Sequence, residues 1–346
     1  MSPMIWATLT ISLTTSTTIV MTSHHWLLAW LSLELNTLSI LPMIMRSSHP
    51  RTTEAATKYF LIQTTAATLI LLASTMNAWQ TGSWNIMQSY SPMATTISTI
   101  AIMMKLAIAP AHLWYPEILQ GTTMTTALII STWQKIAPLT LLYLLTNHLS
   151  TNMVLLLGLT SALLGGWTGL NQTQTRKILA FSSISHMGWL ITALCLNPSL
   201  ATLTMITYMI MTTTMFLSLT ASTSKTLLDL GASWTHSPML LTTTMLALLS
   251  LAGLPPLTGF MPKLLILKEL VTMKLMAIST ALALTSLPNL AFYTRMAYLT
   301  TLTMPPNTTN SEYKWRFKTP MSPLIPTTAL LTTLTLPMTP LLYLAT

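Results

Sequence analysis

Apolar stretches of about 18 or more residues recur from one end of this 346-residue chain to the other. A stretch that long crosses the hydrocarbon core of a bilayer as a helix. The chain is therefore expected to be an all-α polytopic membrane protein. Thr, Leu and Met dominate, and Thr is tolerated in such helices because its hydroxyl bonds back to an earlier carbonyl. Closely spaced spans leave no room for a soluble domain. The net charge of +9 does not point to nucleic acid, because the basic residues lie in short loops rather than in one patch.

The hydropathy pattern predicts eleven spans, at 4–21, 24–44, 57–78, 93–114, 122–145, 150–170, 175–196, 199–222, 238–270, 275–296 and 321–345. Turn signals at Ser91-Pro92, Asn197-Pro198, Ser237-Pro238 and Pro305-Pro306-Asn307 separate several of them. With that count, one side receives Arg46, Arg51, Lys58, Arg176, Lys177, Lys225, Arg295, Lys314, Arg316 and Lys318. The other receives only Lys268 and Lys274 around Glu269. This asymmetry places the N-terminus on the positive side. Trp26, Trp79, Trp84, Trp114 and Trp234 fall near span ends, as aromatic anchors do.

Span nine is too long, and Gly253-Leu-Pro-Pro-Leu-Thr-Gly-Phe-Met-Pro262 cuts it. Span four is interrupted at Pro110. Divided into two sets of five, the first ten spans place an interrupted helix fourth in each set. Five is odd, so the second set runs inverted. The expected architecture is two inverted five-helix repeats, each with a broken helix, plus a C-terminal helix. The repeats cover residues 1–148 and 149–300, and a loop with the last helix covers 301–346. The break residues are Pro110 in the first repeat and Pro255, Pro256, Gly259 and Pro262 in the second.

Only 6% of the residues are charged, yet Glu34, Lys105, Lys135 and Lys263 interrupt apolar spans. An ionisable group at bilayer depth costs about 2.5–3.5 kcal/mol even on insertion scales. Withdrawal from water lowers the proton affinity of a lysine and raises that of a carboxylate, so both can exchange protons near neutral pH. A file of such groups is a proton path. A structural ion pair or snorkelling is the competing account. Lys135 lies in span five, expected to be continuous. His112 and His186 fit either a relay or buried packing. His24 and His25 read as interfacial, and His49, His148 and His236 as loop residues.

Cys195 is the single cysteine, which rules out an internal disulfide and a cysteine-built metal or iron–sulfur site. No metal-ligand spacing or phosphate-binding glycine loop appears. Asn171-Gln-Thr173 and Asn307-Thr-Thr309 match glycosylation acceptors by chance, since both face the positive side. No cleavable leader is evident before residues 4–21.

Four motifs carry a family resemblance. Lys105-Leu-Ala-Ile-Ala-Pro-Ala-His-Leu-Trp-Tyr-Pro-Glu117, followed by Gly121, resembles the broken-helix signature of the antiporter-like subunits of respiratory complex I. Arg176-Lys-Ile-Leu-Ala-Phe-Ser-Ser-Ile-Ser-His-Met-Gly188 and Ser250-Leu-Ala-Gly-Leu-Pro-Pro-Leu-Thr-Gly-Phe-Met-Pro-Lys263 resemble two further motifs. Leu33-Glu-Leu-Asn36 resembles the segment with the family's glutamate. They occur in family order over residues 33–263.

The resemblance implies that Glu34 pairs with Lys105, that Lys135 is the central lysine, and that Lys263 is the ionisable group of the second broken helix. Glu117 stands where many members have Asp. The family pattern has three more helices before the one that starts this chain, so partner subunits would cover the area around Glu34. The implied function is a membrane-arm subunit of the proton-translocating NADH:ubiquinone reductase, with no redox chemistry in this chain. NADH, FMN, iron–sulfur clusters and ubiquinone are expected in other subunits. Implied partners are other membrane-arm subunits, neighbouring antiporter-like ones included, and phospholipids, with no nucleic acid. The implied location is the mitochondrial inner membrane, with the N-terminus in the matrix and the C-terminus on the intermembrane-space side. The alternatives are a free-standing cation/proton antiporter of the same fold and a scaffold without transport.

Overall fold

The computed structural model describes residues 2–46, 49–88, 91–233, 237–301 and 322–338. Trp234, His236, Pro305-Pro306-Asn307, Lys314, Arg316 and Lys318 lie outside them, as does the Asn307 acceptor motif. Among the described residues regular structure is helical: α1 (Pro3–Thr22), α2 (Trp26–Ile44), α3 (Pro50–Thr81), α4 (Pro92–Lys105), α5 (Trp114–Gly121), α6 (Met124–Ser131), α7 (Ile136–Leu144), α8 (Thr151–Gly169), α9 (Thr175–Leu196), α10 (Pro198–Ser222), α11 (Leu227–Ala232), α12 (Pro238–Ala252), α13 (Phe260–Thr272), α14 (Met276–Thr301) and α15 (Leu324–Leu334). Eight spans are long and apolar enough to cross a membrane unaided, with α6 and α7 acting as one. The interrupted pairs α4–α5 and α12–α13, with α15, account for the other three expected spans. Residues 339–346 of the eleventh expected span lie outside the described part.

Sequence explains most of these ends. Proline opens α1, α3, α4, α10 and α12, where its missing N–H costs nothing. Gly82, at φ +70°, ends α3, and Gly253, at φ +83°, ends α12. Threonine hydroxyls bond back along their own helices, as Thr8, Thr10 and Thr14 do in α1. His49 was expected to be an unremarkable loop residue; its side chain caps α3 by accepting from the Arg51 N–H at 3.2 Å.

The breaks differ from expectation in three details. The first begins at Lys105, five residues before Pro110, which is exposed. Proline offers no N–H to Leu106 and drives its predecessor out of the helical region, so the helix unwinds ahead of it. The N–H groups of Leu106, Ala107 and Ile108 close the last carbonyls of α4 instead. Second, Pro262 lies in the first turn of α13 rather than in the break, which runs from Gly253 to Gly259. Third, the expected continuous helix around Lys135 is not continuous. A short 3-10 turn, Trp133–Lys135, separates α6 from α7. Pro138 is the physical reason: it cannot donate to the carbonyl of Gln134, and its ring crowds that carbonyl.

Contacts divide the chain into two compact units, Met1–Leu157 and Gly158–Thr346. In the first, α3 packs on α2, α4 and α5, and α7 packs on α1, α2 and α4. In the second, α9 is central; its apolar window is 89% buried, and it packs on α10, α13 and α14. Glycines let the helices meet closely there. A Cβ on Gly188 would stand 2.6 Å from the carbonyl oxygen of Gly158 and 2.7 Å from the backbone nitrogen of Ala162. Both neighbours are backbone and cannot turn aside. Gly188→Ala is therefore expected to push α8 from α9 and to cost about 1–3 kcal/mol. The check is the thermal midpoint of the purified assembly; an unchanged midpoint refutes the close-packing account.

Candidate functional site

Three elements of the first unit bring two lysines to one cavity. Lys105 is the last residue of α4, and Lys135 ends the turn between α6 and α7. Both are buried, at 6% and 3% exposure. They line a cavity of about 20 Å³ with Asn36, Gln63, Tyr115 and Gln134. That is room for about one water molecule. The Lys105 ammonium has no hydrogen-bond partner among the described residues. The Lys135 ammonium lies 5.1 Å from the centre of the Tyr115 ring, a cation–π distance.

Glu34 stands apart from the expected direct pair. Its carboxylate accepts a hydrogen bond from the Thr37 hydroxyl at 3.1 Å and is only half-buried. Among the described residues no ion pair joins it to Lys105. Among the described residues, ion pairs within 4.0 Å join Lys58 to Glu54 and to Glu117, both at 2.6 Å. The physical reason is rotameric: a carboxylate on α2 reaches its own helix's Thr37 one turn on. Lys58 and Glu117 thus tie α3 to α5 at the surface.

Sequence reading missed several members of this site. Trp114, expected to be an interfacial anchor, is 6% exposed and lines the cavity, stacked edgewise on Tyr59 and Tyr115. Trp26, also expected to be an anchor, is 2% exposed, whereas Trp79 is 92% exposed. The Gln134 amide donates to Asn36 Oδ1 at 3.0 Å and joins the turn at Lys135 to α2. The available signal was an amide beside a lysine in an apolar span. His112 lies in the first break, buried, with Nδ1 3.2 Å from the carbonyl oxygen of Pro110.

In the second unit, the Lys263 ammonium donates to the carbonyl oxygen of Ala252 at 2.9 Å. Ala252 is the last residue of α12, so the cation from α13 sits on the carboxy-terminal end of the preceding half-helix. Helix dipoles favour positive charge there. The ammonium also lies 6.0 Å from the centre of the Trp189 ring, and its stem covers Gly253, where a Cβ would be 2.8 Å from Nζ. His186 is half-buried, with its ring 5.8 Å from that of Tyr208. Pro255 and Pro256 are exposed, and Gly259 is pressed against the carbonyl of Ser250. Among the described residues no group of three His, Cys, Asp or Glu side chains could hold a metal ion.

Residues 23–287 match the family described as NADH:quinone oxidoreductase/Mrp antiporter, TM, and residues 290–343 match NADH dehydrogenase subunit 2 C-terminus. NADH-ubiquinone oxidoreductase chain 2 of Gallus gallus is 52% identical over 334 residues, covering 96% of each chain. The same chain of Aquarana catesbeiana is 49% identical over 347 residues, covering 99% of this chain and 100% of the relative. A chain of respiratory complex I from Thermus thermophilus superposes with a TM-score of 0.80 at 24% identity, over 95% of this chain and 78% of its own length. A chain of an archaeal membrane-bound sulfane sulfur reductase superposes with a TM-score of 0.84 at 15% identity, over 98% and 75%. These two share the fold. The chain belongs to the NADH-ubiquinone oxidoreductase chain 2 family, within the transmembrane oxidoreductase/antiporter group.

Proposed function

We propose that this chain carries protons across the mitochondrial inner membrane as the chain 2 subunit of respiratory complex I, with Glu34, Lys105, Lys135 and Lys263 as its exchange stations. The observation that carries the reading is the shared cavity of Lys105 and Lys135. Two buried amines beside a water-sized space suit proton exchange, and a purely structural role has no need of them. Relatives about half identical over nearly the whole chain bear the oxidoreductase name, which favours this reading over a free-standing antiporter.

In this mechanism Glu34 acts on Lys105 at a distance. Loss of the Glu34 charge, or its withdrawal from Lys105, releases the Lys105 proton into the cavity. The cavity water passes it to Lys135, whose ammonium the Tyr115 ring then stabilises. Lys263 holds its proton on the Ala252 carbonyl in the same manner. His112 and His186 are candidate relays. Quinone reduction elsewhere in the complex supplies the drive. NADH, FMN, iron–sulfur clusters and ubiquinone belong to other subunits, and the partners are the other membrane-arm subunits and phospholipids. The N-terminus faces the matrix and the C-terminus the intermembrane space. The five-helix repeats at 1–148 and 149–300 form the two halves of the carrier.

Lys105→Met and Lys135→Met keep side-chain length and remove the exchangeable proton. Pumping by the assembled complex is expected to fall about tenfold in each, the effect of about 1.4 kcal/mol added to a barrier. Normal proton yield per electron in both would refute the relay. Gln134→Leu leaves the buried Asn36 oxygen without its donor and is expected to cost about 1–3 kcal/mol. Thermal denaturation of the complex reads that loss, and no change would show that the amide bond does not hold α2 to the turn.

A further inference from the structure

The second break is closed from three directions, and one closure has no counterpart in the proposed relay. Gly259 presses on the Ser250 carbonyl of α12. Lys263 donates to Ala252. Thr258, which precedes Gly259, sends its hydroxyl to the carbonyl oxygen of Thr332 at 2.7 Å. Thr332 belongs to the last turn of α15, and 74 residues separate the two partners. Both are buried, at 2% and 1% exposure, while Pro255 and Pro256 of the same break are exposed. The bond is unlike the threonine bonds within the helices, which run to carbonyls three or four residues earlier. Carbonyls of a helix's last turn are the ones a foreign donor can reach.

We propose that Thr258 is a positioning residue for Lys263: its hydroxyl ties the break to the C-terminal helix and so holds the ammonium on the carboxy-terminal end of α12. Lys263 follows Thr258 by five residues, the intervening chain being the start of α13. A helix start moves as a rigid piece, so a shift of Thr258 carries the base of the Lys263 side chain with it. α15 packs on α10 and α12, the helices beside the break, and so supplies a fixed point outside α13. A hydrogen bond in apolar surroundings holds its geometry more firmly than the same bond in water. The α15 helix thereby acquires a part in setting how firmly Lys263 keeps its carbonyl partner. The inference rests on Lys263 being an exchange station.

The test uses the assembled respiratory complex in sealed inner-membrane vesicles and reads protons translocated per NADH oxidised. Thr258→Val keeps the shape and removes the hydroxyl; Thr258→Ser keeps the hydroxyl. The ratio is expected to fall in Thr258→Val, in the direction of Lys263→Met, and to be restored in Thr258→Ser. Equal ratios in the Val and Ser variants, or a parental ratio in Thr258→Val beside a lowered one in Lys263→Met, overturn the positioning role. A parental ratio in Lys263→Met overturns the station itself and is read separately. Where Thr258→Val fails to assemble, Thr258→Ala gives the same reading per assembled complex. Loss of assembly in both would assign the hydroxyl to folding alone and overturn the proposal.

Discussion

Backbone hydrogen bonding in a medium without water governs this structure. A helix satisfies its own N–H and C=O groups, and any interruption must find partners inside the protein. Among the described residues the expected spans are interrupted at three places, and a lysine marks each. Lys105 ends α4, Lys135 ends the turn after α6, and Lys263 reaches back to the end of α12. The carboxy-terminal end of a helix presents carbonyls and a partial negative charge, the surroundings a buried cation needs. The Lys263 ammonium occupies such an end, on the Ala252 carbonyl.

This arrangement bears on the proposed chemistry as well as on the stability. A buried amine held by carbonyl dipoles and aromatic rings is less firmly charged than one held by a carboxylate. The described spans put Tyr115 beside Lys135 and Trp189 beside Lys263, and they put the Lys58 ion pairs at the exposed edge of the first unit. Strong ion pairing at the edge fastens α3 to α5. Weak partnering in the interior is what the proposed exchange by the lysines requires.

Much of the fold was legible from residue order. Span number followed from apolar length and from the loop charges, and the broken helices followed from Pro110 and from Pro255-Pro256. The turn at Lys135 was hidden, because a single Pro138 in an apolar run reads equally as a mild kink. The first break contains Pro110 as expected, but it opens five residues earlier, at the end of α4, since unwinding propagates ahead of a proline by an amount that neighbouring donors decide. Trp114 was misread for a related reason. Nearness to a span end suggests an interface only when the span is continuous, and α5 turns Trp114 inward.

The sequence by itself determined which stretches form apolar helices and two of the places where they break, at Pro110 and at Pro255-Pro256, because hydropathy and proline act locally. Only the tertiary structure decided who meets whom. That Lys105 and Lys135 share one cavity, that Glu34 bonds to Thr37, that Gln134 reaches Asn36, and that Thr258 finds Thr332 depend on helices brought side by side. Local pattern carries no record of such meetings, since the packing of many side chains sets the distance between helices far apart in the chain.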